Sequence, residues 1–172
     1  MQYKVQSEIG PLRLVITHKP GIEHQYVTPN NLIEKIQEKN ALIDNPNYLL
    51  FDDIIQVNKA QQEHQELYDI LHYFTDGNCY EFIDILKVVL ENNSLKNQLI
   101  DECCLLEEEI YKNVVDKNIL HNIDNSTFIN VLLSGYYKEQ KIFTHPIPNL
   151  IFTRDISVCI GNTILITWKK RC

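Results

Sequence analysis

Asp155 is the residue whose surroundings most clearly indicate chemistry. It closes the stretch 149–155, an apolar run that ends in Thr-Arg-Asp and that Pro146 and Pro148 precede. Carboxylate oxygens hold a planar cation in bidentate geometry, and apolar neighbours suit the stem of such a ligand. The stretch therefore indicates a site for a cationic, guanidinium-like group. Because Asp155 lies close to the end of the sequence, we expect the other groups of that site to come from elsewhere.

Other polar side chains are weaker candidates for chemistry. Asp52 and Asp53 resemble paired acid and base carboxylates, but adjacent acids before a helix are typical of caps and dipole partners, so a structural role is predicted. His18 and His64 have no second ligand at a convincing spacing, which favours packing or surface positions over metal binding. Even Asp155, taken alone beside an arginine, is typical of a turn or ion-pair residue.

The cysteines indicate neither a disulfide framework nor a zinc site. They are five in number, and no Cys-x-x-Cys spacing occurs among Cys79, Cys103, Cys104, Cys159 and Cys172. Cys103 and Cys104 are predicted to pack. No metal and no other cofactor is expected.

Composition favours an ordinary globular protein. The chain has 172 residues, of which 44% are hydrophobic and 23% charged, enough apolar mass for one sizeable core. A net charge of −7 argues against a nucleic-acid partner, which usually requires a concentrated positive face. No apolar run is long enough to span a membrane, and the N-terminus lacks the apolar core of a signal peptide. We therefore expect a cytoplasmic protein without a membrane partner.

The first half of the chain has the order strand, loop, helix, strand. Residues 11–18 alternate and then become β-branched, and Lys19-Pro20-Gly21 supplies a turn. Residues 22–50 are predicted to be a long, partly mobile loop, with a short amphipathic helix at 31–39. Apolar positions at helical spacing predict a helix over 58–74, and residues 79–82 predict a short strand. This order favours an α/β fold.

The second half changes character. Residues 83–135 are predicted to form three or four short helices, with Ser94 and Ser126 as N-caps. Residues 150–153 and 158–168 return to strand-like composition, and Gly161-Asn162 indicates a tight hairpin turn. We therefore predict an α/β module at 1–82 with a mobile loop at 22–50, a helical insertion at 83–140, and returning strands at 141–172.

Four motifs together resemble the N-terminal part of arginine deiminase, and they occur in that family's order. The motifs are Ser7-Glu8-Ile9-Gly10 with Leu14-Val15-Ile16-Thr17-His18-Lys19-Pro20-Gly21; Val27-Thr28-Pro29; Leu49-Leu50-Phe51-Asp52-Asp53-Ile54; and Pro148-Asn149-x-x-Phe152-Thr153-Arg154-Asp155. The resemblance implies the first module, and the start of the second, of a pentein-type five-bladed α/β propeller. The family carries a helical insertion near the end of its first module, and the helical block at 83–140 matches it in kind and place.

The resemblance also implies a reaction and a site. The family hydrolyses L-arginine to citrulline and ammonia: a Cys thiolate attacks the guanidinium carbon, a His moves protons, and two carboxylates hold the guanidinium nitrogens. Asp155 matches one of those carboxylates. Asn149 matches a contact to the amino-acid end of the substrate, Phe152 an aromatic ring on its aliphatic stem, and the Leu50 backbone a further contact from the loop. L-arginine or a related guanidino compound is the expected partner.

The chain departs from the family in ways that bear on activity. Cys172 lies only seventeen positions after Asp155 and follows Trp-Lys-Lys-Arg in place of a glycine-rich segment, so it is not predicted to be the nucleophile. Tyr26 stands where the family usually has Arg, about a dozen extra residues lie between Asn31 and Leu49, and Ile156 replaces a frequent Pro. Roughly the first two-fifths of the family is present, so the chain alone is predicted to be an inactive, truncated hydrolase.

Two alternatives remain open at this point. The chain could be a non-catalytic module of the same fold that binds a guanidinium ligand or a protein, in which case uncovered faces would favour self-association. It could also resemble a related amidinotransferase or another guanidine-modifying hydrolase, although the helical insertion favours the deiminase.

Overall fold

A computed structural model of the protein describes residues 5, 7, 9–49, 51 and 54–166, and it shows a mixed helix-and-strand α/β fold with small sheets. Strand β1 (Val15–Thr17), helix α1 (Val57–Phe74) and strand β4 (Cys79–Glu81) form the predicted strand–helix–strand unit. The two strands pair in parallel, with Val15 opposite Cys79 and Thr17 opposite Glu81. Asp76 and Gly77 have positive φ angles of 51° and 86°, which turn the chain from α1 into β4.

Residues 22–49 contain more regular structure than the predicted loop. Two 3₁₀ helices, Ile22–Tyr26 and Pro29–Leu32, precede an antiparallel hairpin of β2 (Lys35–Glu38) and β3 (Ala41–Asp44). The predicted helix at 31–39 is therefore wrong. Lys39 and Asn40 adopt left-handed φ angles of 46° and 69°, which form a two-residue hairpin turn and cannot continue a right-handed helix.

The side chain of Asn45 helps to attach the hairpin to the rest of the loop. Asn45 Nδ2 donates hydrogen bonds to the carbonyls of Asn30 and Ile33 at 2.6 and 2.7 Å. The hairpin lies in the stretch that the family resemblance marks as additional.

The predicted helical block is confirmed. It contains α2 (Phe82–Leu90), α3 (Asn93–Tyr111), α4 (Lys117–His121) and α5 (Asn125–Ser134). The predicted caps at Ser94 and Ser126 are wrong, because α3 and α5 begin earlier. The side chain of Asn92 accepts hydrogen bonds from the first turn of α3, and that of Asp124 accepts one from Thr127 N.

The main hydrophobic core lies in this block and in the short segment that follows it. Its most deeply buried side chains include Leu90, Ile100, Leu120 and Phe128, each at most 1% exposed. The remaining buried members are Cys104, Ile129, Val131, Leu133, Ile142 and Phe143. Strands β5 (Tyr136–Tyr137) and β6 (Gln140–Lys141) form a tight hairpin between α5 and the last two of these.

The buried Glu107 carboxylate links the helical block to the chain that follows it. Glu107 Oε2, on α3, accepts hydrogen bonds from Asn113 Nδ2 at 2.7 Å, Thr144 N at 3.0 Å and Thr144 Oγ1 at 2.6 Å. Burial of a carboxylate is costly unless its oxygens accept hydrogen bonds. Three donors satisfy this oxygen of Glu107.

The returning chain contains one predicted hairpin and one unpredicted helix. Residues 150–153 were predicted to be a strand, but a 3₁₀ helix spans Pro148–Ile151. Pro148 opens that helix and has no backbone N–H for a strand ladder. The hairpin prediction is confirmed: β7 (Ser157–Ile160) and β8 (Thr163–Ile166) pair around Gly161-Asn162, and Gly161 has a φ of 60°. No helix in the described part of the chain is both long and apolar enough to cross a membrane.

Candidate functional site

The segment 148–155 presents Asp155 through two consecutive backbone turns. Phe152 N donates to Asn149 O at 3.0 Å, and Asp155 N donates to Phe152 O at 3.0 Å. Pro148 is buried, whereas Asn149, Phe152 and Asp155 are exposed. Three of the four predicted site residues therefore project from one short, tightly turned segment.

A hydrogen bond across the fold fixes this segment to the first strand. Thr153 Oγ1 donates to Ile16 O, in β1, at 2.9 Å. The bond joins residues 137 positions apart, so it places the Asp155 segment beside the α/β unit.

The loop before α1 packs against the same segment. The Phe51 and Phe152 rings lie with their centroids 6.2 Å apart and tilted by 44°. Val27, Leu49 and Phe51 form a small second core against which Ile151 packs. Leu50, the fourth predicted site residue, lies outside the described residues, as do Asp52 and Asp53, but both neighbours of Leu50 are buried in this contact.

Tyr26, one of the positions at which the chain departs from the family that it resembles, makes a ring contact in the structure. The Tyr26 ring stacks on Tyr136, with centroids 4.6 Å apart and an interplanar angle of 11°. Tyr136 follows directly after α5 and Gly135. The ring at position 26 therefore attaches the loop to the helical block.

Sequence reasoning missed a buried cluster of ionisable side chains at the start of the same loop. His18 Nε2 lies 3.0 Å from Glu23 Oε1, and His24 Nε2 lies 3.4 Å from the same oxygen. All three side chains are at most 1% exposed. The burial predicted as one option for His18 is confirmed, but its partner was not foreseen. The His24 ring also contacts Phe51, with centroids 5.1 Å apart.

Hydrogen bonds keep the buried Glu23 carboxyl ionised. Burial works to raise the pKa of this carboxyl, but hydrogen bonds from His18 and from the Gly21 backbone amide outweigh it and lower the pKa. For His24, burial lowers the pKa of the imidazole, and the Glu23 carboxylate offsets this only in part. Within the described residues, Glu23 Oε2, His18 Nδ1 and both ring nitrogens of His24 have no hydrogen-bond partner.

A second carboxylate organises the end of β1. Glu81 Oε1 lies 2.6 Å from His64 Nε2 and accepts a hydrogen bond from Thr17 Oγ1 at 3.1 Å. Glu81 Oε2 accepts from the Lys19 backbone amide at 2.8 Å. His64 is thus a partly buried packing residue that links α1 to β4. Among the described side chains, no group of three or more His, Cys, Asp or Glu could hold a metal ion.

Three of the four cysteines in the described chain have thiols that are poorly suited to nucleophilic attack. Cys79, Cys103, Cys104 and Cys159 are free thiols. Burial raises the pKa of Cys79 and Cys104, and it raises the pKa of Cys103 to about 12. A thiol with a raised pKa is a poor nucleophile at neutral pH. Cys172 lies outside the described residues.

Two surface depressions lie away from the Asp155 segment. Their volumes are about 450 and 310 Å³, and both surround the first turns of α1. Their lining residues fall within the stretch 55–63, and both share Gln56 and Lys59. Neither depression is lined by Asn149, Phe152 or Asp155.

Comparison with known proteins agrees with the motifs. No protein-family model matches the chain. The curated arginine deiminase of Metamycoplasma hominis is 30% identical to it over 96% of this chain and 40% of the relative. The arginine deiminases of Staphylococcus aureus and Metamycoplasma arthritidis are 28% and 27% identical and cover 98% and 96% of this chain. The chain spans about two-fifths of the length of these relatives. Over nearly its whole length, this protein is thus a relative of the arginine deiminases that matches a part of them.

Proposed function

We propose that this chain is an arginine deiminase-like polypeptide that binds the guanidinium group of L-arginine, or of a related guanidino compound, through Asp155. Asn149 contacts the amino-acid end of the ligand, Phe152 covers its aliphatic stem, and the backbone of Leu50 adds a contact from the loop. A carboxylate suits a guanidinium because its two oxygens match the paired N–H groups of that cation.

The contact between the Phe51 and Phe152 rings is the main observation that supports this proposal. Phe51 and Leu49 belong to a small core, and Ile151, in the segment that ends in Asp155, packs against that core. The similarity to arginine deiminases supplies the motifs separately, in two parts of the sequence about a hundred residues apart. The packing of these two parts supports a single site assembled from both.

The proposed fold is one part of a pentein-type five-bladed propeller. In this proposal residues 1–82 form the first module, 83–140 the helical insertion and 141–172 the strands that return to the propeller. The parallel pairing of β1 with β4 and the helical core support the first two units.

We also propose that the chain alone does not hydrolyse arginine. The reaction of the relatives adds water to the guanidinium carbon of arginine and releases ammonia and citrulline, and it needs a nucleophilic Cys and a proton-transferring His. The buried thiols of this chain have raised pKa values, and Asp155 by itself provides binding without a covalent step. Citrulline formation by the purified chain should therefore equal that of buffer, and turnover that persists in a Cys172→Ser variant would overturn this part of the proposal.

Ligand binding tests the site directly. Calorimetric titration of the purified chain should detect binding of L-arginine and little or no binding of L-citrulline, whose side chain has a similar length but ends in an uncharged ureido group. The Asp155→Asn variant should bind arginine about tenfold more weakly or worse, because a charge-assisted, bidentate contact is lost.

A matched control distinguishes the loss of the Asp155 contact from the general effect of removing one negative charge. Asp69→Asn removes the same charge from an exposed position on α1 and should leave arginine binding unchanged. Equal affinity for arginine and citrulline, or equal losses in the two variants, would contradict the proposed role of Asp155.

A second candidate function is a non-catalytic module of the same fold that binds a protein. It is favoured by the exposed apolar side chains of β7 and β8, which include Ile160 at 60% and Ile166 at 80% exposure. Binding of a protein without any affinity for guanidino compounds would distinguish it from the first candidate.

A further inference from the structure

The buried cluster of His18, Glu23 and His24 is joined to the candidate site by a line of ring contacts. The His24 ring packs against Phe51 with centroids 5.1 Å apart, and the Phe51 ring packs against Phe152 with centroids 6.2 Å apart. Favourable aromatic pairs have centroids about 4.5–7 Å apart. Phe152 is 49% exposed, whereas Phe51 and His24 are buried. The exposed ring of the proposed site is therefore supported from the interior by two buried rings.

The Glu23 carboxylate fixes the backbone that carries His24. Its Oε1 accepts a hydrogen bond from the Gly21 amide at 2.7 Å and lies 3.0 Å from His18 Nε2. A Cβ atom at Gly21 would lie 2.9 Å from Glu23 Oε2, so the carboxylate packs directly against the glycine backbone. The His24 amide in turn donates to Gly21 O at 3.2 Å. These contacts close the 3₁₀ turn from which the His24 ring projects.

His24 acts in this line of contacts as an aromatic ring. Within the described residues, neither of its ring nitrogens has a hydrogen-bond partner, and Nε2 lies 3.4 Å from Glu23 Oε1. Its contact with Phe51 is therefore a packing contact. Another planar ring of similar size would preserve such a contact, whereas a small side chain would not.

We propose that His24, held in place by Glu23, is a positioning residue that sets the preference of the Asp155 site for guanidino compounds with a long apolar stem. The inference rests on the proposed function, in which Phe152 covers that stem. His24 is buried and does not touch the ligand. It holds Phe51 against Phe152, and Phe152 in turn covers the methylene groups.

Two ligands that differ only in the length of the stem measure this effect. Methylguanidine and n-butylguanidine carry the same cation and no amino-acid end, so only the longer stem distinguishes the second. Partial burial of the additional methylene groups should make n-butylguanidine bind the unaltered chain about tenfold more tightly. Calorimetric titration of both compounds gives the ratio of their dissociation constants, which reports the apolar side of the site separately from Asp155.

Variants at His24 should separate the effect of its ring from that of its imidazole nitrogens. His24→Ala should lower the ratio to about two, because Phe51 and Phe152 lose their support. His24→Phe should keep it at about tenfold, because a ring remains. His64→Ala is the matched control: His64 also lies beside a carboxylate, with Nε2 2.6 Å from Glu81 Oε1, but it lies on α1 in a separate cluster. A ratio that is equal in all of these variants would overturn the proposal.

A second variant covers the case in which His24→Ala does not fold. Phe51→Leu retains apolar bulk in the small core but removes the ring that joins His24 to Phe152, so it should lower the ratio to a similar extent. Circular dichroism in urea establishes that each variant is folded under the conditions of the titration. Loss of folding would weaken the binding of both ligands alike, whereas loss of positioning changes their ratio.

A spectroscopic measurement tests the positioning without a ligand. In the free chain the Phe152 ring lies beside the Phe51 ring, so ring currents displace its NMR signals from their random-coil positions. His24→Ala should move the Phe152 signals toward those positions, and His64→Ala should leave them in place. Phe152 signals that do not move in a folded His24→Ala chain would overturn the positioning role.

These readouts separate the inference from the proposed function. Displaced Phe152 signals in a His24→Ala variant of a chain that binds neither alkylguanidine would contradict the guanidinium site, and with it the stem preference, but would support the positioning of Phe152 by His24. Binding that depends on Asp155, with a ratio that does not change in His24→Ala or Phe51→Leu, would support the site and contradict the inference.

Discussion

The helical block and the β7–β8 hairpin both carry many apolar side chains, but these side chains have very different surroundings. In the block, α2 to α5 and the segment after them enclose Phe128 and Ile100 with no solvent exposure. In the hairpin, Leu165 and Ile164 are half exposed. Because burial is what converts an apolar side chain into folding free energy, the buried side chains of the block contribute more stability than the half-exposed ones of the hairpin. Apolar content alone therefore does not locate a core.

Truncation of one buried ring should give the largest contrast between the two regions. Phe128→Ala should lower the free energy of unfolding by about 3–5 kcal/mol, because it removes a fully buried aromatic side chain and leaves a cavity. Leu165→Ala in the hairpin should change it by no more than about 0.5 kcal/mol. Urea denaturation followed by circular dichroism measures both. Comparable losses would mean that the hairpin is covered in the isolated chain.

Removal of a buried polar contact within the block should have a smaller effect on the free energy of unfolding. Glu107→Ala should cost about 2–3 kcal/mol, since Asn113 and Thr144 lose a charged acceptor inside the fold. Glu108→Ala, one residue along α3 and exposed, is the control and should be close to neutral. Thermal unfolding of the two variants would decide the point, and equal midpoints would contradict the role of Glu107 as an anchor.

Helix capping should have the smallest of these effects. Asp124→Ala should destabilise the block by about 1 kcal/mol, because Thr127 N and Thr127 Oγ1 lose their acceptor at the start of α5. Ser126→Ala should be nearly silent, since Ser126 lies inside the first turn and does not cap the helix. Urea midpoints of the two variants compare them. A larger loss at Ser126 would restore the capping role that the sequence suggested.

Long periodic segments were predictable from sequence, and short irregular ones were not. The helical spacing in 58–74 and 83–135 led to α1 and to the block, because many apolar positions specify each helix. The hairpin of β2 and β3 was missed because its turn depends on the left-handed backbone of Lys39 and Asn40, which are not typical glycine turn residues. The 3₁₀ helix at Pro148–Ile151 was missed because its apolar composition resembles a strand.

The residues of the candidate site were predictable from the sequence, but the contacts that hold them in place were not. The motifs named Asn149, Phe152 and Asp155, and the structure places them on one turned segment. The contact with Phe51 depends on how two distant loops pack, which no local pattern encodes. The cluster around Glu23 was missed because its three members come together only when the chain turns at Gly21.

The carboxylate of Glu23, held between two imidazoles, makes the attachment of the loop sensitive to acid. The His24 pKa is lowered from its usual value of 6.5, so below about pH 6.5 the unfolded chain takes up a proton that the folded chain resists. The Glu23 pKa is lowered from 4.5, so below about pH 4.5 the unfolded chain again takes up a proton that the folded chain resists. Both shifts make stability fall as the pH falls. We expect the His24→Asn variant to lose less stability than the unaltered chain between about pH 7 and pH 5. Proteolysis within residues 22–49 at the two pH values would show whether this loop is the first part of the fold to open.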